Sequence, residues 1–289
     1  MICISNIVDL RELVSKTKAN GCRVGLVPTM GFLHEGHLSL VNECRKHCDF
    51  VVMSIFVNPI QFDNSDDLAA YPVDIENDKR LAESVGVDCL FIPDTRSMYC
   101  DAKCFVNIDG LDSHLCGAKR PGHFKGVLTV VAKLFNIVLP DVAVFGQKDI
   151  QQAVIISKMV VDLNFPIKIL ISPTIRDESG LALSSRNKHL SPVDKISAVC
   201  IFEALNLAAL LIKQGERNWS VIEAAMRNAI AGGLPVKIDY ISAVDFFDLL
   251  PVDVLNKKSI IAAAVFWGST RLIDNLIVDF VGEDVLCVF

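Results

Sequence analysis

Apolar positions along the chain follow two alternating rhythms. Ile7, Leu10, Leu13 and Val14 recur at helical spacing and stop before Gly21, whereas residues 24–27 form a short apolar run broken by Pro28. A second helical pattern starts at His37 and carries Leu38, Leu40, Val41 and Cys44. FVVMSIFV (50–57) follows, a β-branched run of the kind shown by a strand buried on both faces, and ends at the Asn58-Pro59 turn. The alternation continues: a charged helix over 73–85, a strand over 89–92 stopped by Pro93, an irregular stretch over 95–125, an apolar helix over 127–139, then strand 142–145, helix 150–161 and strand 167–171. Strands taking turns with helices predict an α/β fold with a doubly wound parallel sheet.

Beyond that point the pattern changes. Long apolar helices over 196–213 and 222–230 precede short strands at 238–244 and 260–266. The expected division is a Rossmann-like domain over 1–175 and a smaller C-terminal α+β domain over 176–289. Doubly wound sheets take ligands at the carboxyl ends of their strands, so residues 29–37, 58–61, 146–149 and 172–186 become the candidate site segments.

Composition narrows the function classes. With 289 residues, 52% of them apolar, there is bulk for one or two domains with a substantial core. A net charge of −6 argues against a general grip on nucleic acid through phosphate neutralisation. Asp9, Arg11 and Glu12 interrupt the N-terminal stretch before a secretory apolar core can form, and Glu203 cuts the most membrane-like stretch, 196–212, which reads better as a buried helix. The expectation is a soluble cytoplasmic protein with no membrane partner. Ten cysteines are scattered without a CxxC pair, which suits reduced thiols packed as small apolar side chains; the only local clusters are Cys44 with Cys48 beside His47, and Cys100 with Cys104.

The chemistry concentrates in VPTMGFLHEGH (27–37), a strand–turn–helix passage. Gly31 and Gly36 let a ligand approach the backbone, and His34 and His37 stand at a helix start, where free N–H groups and the positive dipole end attract anions such as a polyphosphate. The same spacing serves a metal pair, but no third ligand lies nearby in sequence and no HExxH pattern occurs. PTMGFLHEGH resembles the PTMGxLHxGH signature of pantothenate synthetases (pantoate–β-alanine ligases), and its HEGH the HxGH element of the wider nucleotidylyltransferase superfamily. Further strings extend the resemblance over nearly the whole chain: FVNPIQF (56–62), RPGHFKGVLTVVAKLFN (120–136), KIDYISAVD (237–245) and WGSTRLIDN (267–275). FGQKDIQQ (145–152) departs from the family's FGEKDYQQ at Gln147 and Ile150, and PTIRDESGLALSSRN (173–187) carries Leu183 where methionine is common.

The resemblance implies ATP-dependent condensation of (R)-pantoate with β-alanine to pantothenate, AMP and pyrophosphate through a pantoyl-adenylate, with Mg²⁺ accompanying ATP. It implies a homodimer whose second domain closes over a site on the first. Carried over by position, the ATP contacts are Met30, Gly31, Phe32, Leu33, His34, Glu35, Gly36, His37, Gly146, Gln147, Lys148, Asp149, Ile175, Leu183, Ser184, Ser185 and Arg186. Among them His34, His37, Lys148, Ser184, Ser185 and Arg186 would stabilise pyrophosphate charge. Gln61, Gln152, Met30, Asn58, Val130 and Val131 would hold pantoate and β-alanine, while Arg120 and His123 stand as phosphate or dimer contacts. Whether His37 acts as a cationic general acid or a neutral donor stays open at this level. Another adenylyl or cytidylyl transferase would share HxGH but lack FVNPxQF and SSRN, and a dehydrogenase module would need a GxGxxG turn, which does not occur.

Overall fold

A computed structural model describes residues 1–63, 65–232, 236–282 and 284–289. They divide into two compact units. The first comprises Met1–Asp112, Cys116–Gly146 and Gln152–Ser172; the second comprises Ser113–Leu115, Gln147–Gln151 and Pro173–Phe289.

The first unit runs β1 (Ile2–Ile4), α1 (Ile7–Ala19), β2 (Val24–Thr29), α2 (Glu35–Arg45), β3 (Phe50–Ile55), α3 (Ser65–Ala69), α4 (Ile75–Ser84), β4 (Cys89–Phe91) and α5 (Thr95–Tyr99). After α6 (Leu115–Lys119) come α7 (His123–Val138), β5 (Val142–Gly146), α8 (Ile150–Asp162) and β6 (Lys168–Ser172). The six strands form one parallel sheet in the order β1-β4-β3-β2-β5-β6, so the chain reverses its winding between β2 and β5. This Rossmann-like arrangement puts Thr29, Ile55, Gly146 and Ser172 at one sheet edge.

The switch point has a visible construction. β2 pairs with β3 along its whole length but with β5 only at Gly25 and Leu26, after which the two strands part. Asp141 anchors the start of that pairing: its carboxylate accepts the Val24 N–H at 2.7 Å and the Lys18 amine at 2.9 Å. Pro28 has no N–H to give, and it falls where β5 pairing has already ended; β2 therefore continues through it to Thr29, beyond the run expected from sequence. The stretch expected to be irregular contains the short helices α5 and α6. α7 begins at His123 rather than 127, because the polar His123 and Lys125 hide the apolar period of its first turn.

In the second unit, α9 (Pro192–Ala198), α10 (Cys200–Lys213) and α11 (Trp219–Ala231) pack on an antiparallel sheet of β7 (Lys237–Asp245), β8 (Ser259–Trp267), β9 (Thr270–Val281) and β10 (Asp284–Val288), in the order β10-β9-β8-β7. Sequence periodicity foresaw β7 and β8 but not β9 and β10. Asp274, Asn275 and Asp279 interrupt the apolar pattern of β9, and β10 alternates as an edge strand. By length and composition residues 192–213 could cross a membrane. Instead, Ala204, Leu205, Ala208 and Ile212 are fully buried in a core with Ile222, Met226, Ile261, Ala263 and Leu276. Cys44, Cys89 and Cys200 are buried as well, and burial pushes their thiols up to about 12, 12 and 11, so they stay protonated.

Candidate active site

The turn after β2 is built around a buried carboxylate. Gly31 and Phe32 both take positive φ, +84° and +51°, and a side chain on Gly31 would bring its Cβ within 2.9 Å of Asp78 Oδ2 and Ile55 Cγ2. Asp78, on α4 and fully buried, accepts the N–H groups of Phe32 at 2.9 Å and Leu33 at 2.7 Å. Burial pushes this carboxyl above its ordinary range, against the pull of the two N–H bonds. Asp78 thus fixes the unusual backbone that carries the chain into α2.

His34 is the N-cap of α2. Its Nδ1 accepts the Gly36 N–H at 3.2 Å, and His37 Nδ1 accepts the His34 N–H at 3.3 Å, a capping box made of two imidazoles with centroids 4.1 Å apart. Because a backbone N–H can only donate, each Nδ1 must present its lone pair. With Nδ1 accepting, Nε2 is the ring nitrogen left to donate in each histidine. Glu35, exposed in the first helical turn, complements the dipole.

A second cluster joins residues from three of the quoted strings with Tyr99. Gln61 donates through Nε2 to Met30 Sδ at 3.1 Å and accepts at Oε1 from Asn58 Nδ2 at 3.0 Å. Asn58 Nδ2 also donates to the Gly126 carbonyl at 3.1 Å, Tyr99 donates to Asn58 Oδ1 at 2.8 Å, and His123 Nδ1 donates to the Gln61 carbonyl at 2.8 Å. Burial pushes the Tyr99 phenol up, so it remains a donor. Helix α7 reaches this cluster because position 126 is glycine: a Cβ there would lie 2.6 Å from the Gln61 backbone N and Cα. Val130 and Val131, on the same helix, are buried, and Gln152 is half-buried on α8.

Within the second unit, Lys148 and Asp149 occupy a 3₁₀ turn (Gln147–Asp149) that follows Gly146 at the end of β5; the lysine amine lies 3.8 Å from the aspartate. Gln147 is buried, and its Nε2 donates to the Val288 carbonyl at 2.8 Å, a bond the family's glutamate carboxylate could not make. Ile150, in place of the family's tyrosine, is buried. Both departures thus sit in packed surroundings. Ile175 and Leu183 flank a narrow loop, joined by the Leu183 N–H to the Ile175 carbonyl at 2.9 Å and by an Arg176–Ala182 bridge. Asp177 ties its tip, accepting from the N–H groups of Ser179 and Leu181. Ser184 caps the 3₁₀ turn Ser185–His189 by accepting the Arg186 N–H at 3.3 Å, and Ser184, Ser185 and Arg186 are half-buried. Arg120 forms an ion pair with Asp63 at 3.3 Å.

Asp78, Tyr99, Gly126 and Asn275, whose Nδ2 donates to the Gln147 and Lys148 carbonyls, escaped the sequence reading as site-building residues. Gly126 and Asn275 lie within quoted strings, but nothing in one sequence distinguishes a close backbone approach or a buried amide from ordinary core. Asp78 sits in a charged helix and reads as solvated surface.

Comparison with known proteins gives one answer. The family model described as pantoate-beta-alanine ligase matches residues 2–277. Pantothenate synthetase of Moorella thermoacetica is 49% identical over 280 residues, covering 96% of this chain and 99% of its own. That of Geotalea daltonii is 46% identical over 276 residues, covering 95% and 98%. Among solved structures, pantothenate synthetase from Thermus thermophilus aligns with a TM-score of 0.90 at 40% identity, over 96% of this chain and 99% of that one. Pantoate-beta-alanine ligase from Francisella tularensis, complexed with beta-gamma ATP and beta-alanine, aligns with a TM-score of 0.75 at 33% identity, over 96% and 97%. With its parallel sheet, its separate antiparallel domain and its histidine-capped helix mouth, the chain belongs to the pantoate–β-alanine ligase family.

Proposed function

We propose that the chain joins pantoate to β-alanine in two half-reactions, with pantoyl-adenylate as the bound intermediate. A carboxylate is a poor acyl donor, because its charge repels nucleophiles and oxide is a poor leaving group. In the first half-reaction a pantoate oxygen attacks the α-phosphorus of ATP, and the bond to pyrophosphate breaks. In the second, the β-alanine amine attacks the acyl carbon, the bond to AMP breaks, and the amine nitrogen gives up a proton. No enzyme nucleophile is needed, so the work is positioning and charge stabilisation.

The observation that carries this reading is the pair of imidazoles held as Nε2–H donors at the α2 mouth, where the helix dipole adds to their pull on an anion. His34 and His37 stabilise the charge that develops on the departing pyrophosphate, as do Lys148, Ser184, Ser185 and Arg186. Met30 and the backbone of residues 31–36 line the nucleotide with Gly146, Gln147, Ile175 and Leu183. Gln61, fixed by Asn58 and Met30, orients pantoate and then the amine, with Gln152, Val130 and Val131 completing that pocket. The ligands named for the Francisella tularensis structure, beta-gamma ATP and beta-alanine, support this assignment.

Among the described residues no group of three or more His, Cys, Asp or Glu side chains could hold a metal by itself. A Mg²⁺ that travels on ATP phosphates needs less, and the exposed Asp149 carboxylate is a hard oxygen donor suited to one of its waters. Bound there, the ion would neutralise phosphate charge. The same reading makes the protein a cytoplasmic homodimer.

Pantoate should drive exchange of labelled pyrophosphate into ATP in the complete absence of β-alanine. During full turnover, ¹⁸O from the pantoate carboxylate should appear in AMP. Release of ADP, or no pantoate-dependent exchange in a preparation that makes pantothenate, would overturn the adenylate route.

A further inference from the structure

WGSTRLIDN, like KIDYISAVD, is a quoted string to which the reaction assigns no role, and its last two residues are the most polar feature of a buried strand. Asp274 and Asn275 lie in the middle of β9, 4% and 1% exposed, opposite Ala263 and Ala262 on β8. A charged and an amide side chain in such a place are costly unless fully engaged, and an apolar pair would support the sheet at least as well. Both are engaged, and in each case the partner is a loop. Asn275 Nδ2 donates to the backbone carbonyls of Gln147 at 2.9 Å and Lys148 at 3.1 Å, and its Oδ1 accepts from Gln147 Nε2 at 3.4 Å. Asp274 takes both terminal nitrogens of Arg176, with Nη2 to Oδ1 at 2.9 Å. That guanidinium stacks on Phe202, 4.0 Å from the ring centroid, and donates to the Gly180 carbonyl at 3.2 Å. Arg176 is the base of the loop that ends in Ser184, Ser185 and Arg186.

We infer that the Asp274–Asn275 pair is a positioning element that sets Lys148 and the Ser184-Ser185-Arg186 turn in register with each other for the pyrophosphate-releasing step. Neighbouring residues on one strand are held at a fixed spacing. Tying the Lys148 backbone to one and the loop base to the other makes β9 the common reference for two cationic groups on separate segments. A flexible lysine and a loop arginine each stabilise transition-state charge only when placed to within a fraction of an ångström. Asn275 acts on the peptide that carries Lys148, and Asp274 acts through Arg176; neither touches substrate.

This rests on the adenylate reading, and the test separates the two. Wild-type enzyme is first assayed for pantoate-dependent pyrophosphate–ATP exchange; its absence sinks the adenylate reading itself. With exchange established, Asn275→Ala should slow it about 10²-fold, the size of effect expected from misplacing a catalytic group by about 1 Å. Aminolysis of supplied pantoyl-adenylate by β-alanine should stay at the wild-type rate, because no pyrophosphate charge develops there. The KM for pantoate should be unchanged. Asn275→Asp, which keeps the shape but offers no donor to the two carbonyls, should behave as the alanine variant does and decides the question if that variant fails to fold. Asp274→Asn should slow exchange selectively and raise amide hydrogen exchange over residues 177–186. Equal losses in exchange and aminolysis, tracking the fraction of folded protein, would make the pair merely structural and overturn the inference. So would exchange at the wild-type rate in the Asn275 variants.

Discussion

His34 and His37 show how a residue's chemistry is settled by atoms that sequence does not display. Their identity and spacing were legible, and so was the anion-attracting helix start. Their protonation was not, because it depends on which backbone N–H each ring receives, and those N–H groups take position only when Asp78 has fixed the preceding turn. Removing one preorganised donor from developing charge costs a characteristic amount. Replacing His37 by alanine should therefore lower the rate of pantoyl-adenylate formation by about 10²–10³-fold. Rapid-quench single turnovers measure it, with circular dichroism as the control on folding. A near-normal rate in a folded variant would remove His37 from the chemistry.

At the scale of elements, the N-terminal alternation of strands and helices could be read directly, since buried parallel strands and amphipathic helices differ in period and length. β9 and β10 could not, because buried Asp274 and Asn275 break the apolar run for reasons of loop attachment and β10 is a half-exposed edge. The contact between α7 and the 3₁₀ turn Pro59–Gln61 was equally hidden. It depends on the absence of one carbon atom at position 126. Gly126→Ala would ordinarily help a helix by about 1 kcal/mol. Here its methyl group would push Gln61 away from Met30 and Asn58. The variant should keep the helical content of wild type while its KM for pantoate rises about tenfold or more, equivalent to roughly 1.4 kcal/mol of lost binding. Steady-state kinetics with ATP saturating checks it, and an unchanged KM would show that Gln61 does not hold pantoate.

For the whole molecule, sequence put the division between residues 175 and 176, whereas the second compact unit takes in Pro173–Phe289 together with residues 113–115 and 147–151, which no sequence pattern marks. Chain order does not reveal which side chains a turn packs against. Acid sensitivity is also a property of the whole. For Asp141, Asp177 and Asp245, burial pushes the carboxyl up. Opposing bonds outweigh it only together and leave each one below the ordinary value of 3.8: Val24 N–H and Lys18 for the first, Ser179 and Leu181 N–H for the second, Lys257 and Phe247 N–H for the third. A carboxyl with a depressed folded pKa adds stability that is complete above its unfolded value and disappears as pH falls through the folded one. Asp78, raised by burial, works in the opposite sense. Asp245→Asn should therefore lower the melting temperature clearly at pH 7, for a loss of about 1–3 kcal/mol, and much less at pH 3. Equal shifts at both pH values would show that its charge is not what matters. The apolar helices α9 and α10 have a further consequence, one of time. Their buried faces are covered in part by β8 and β9, which end at Trp267 and Val281 and are made after Lys213. At about 5–20 residues per second of synthesis, that face waits on the order of several seconds for its cover. During that interval the nascent chain displays a segment as greasy as a membrane anchor, and its fate then rests with the chaperones at the ribosome rather than with the fold.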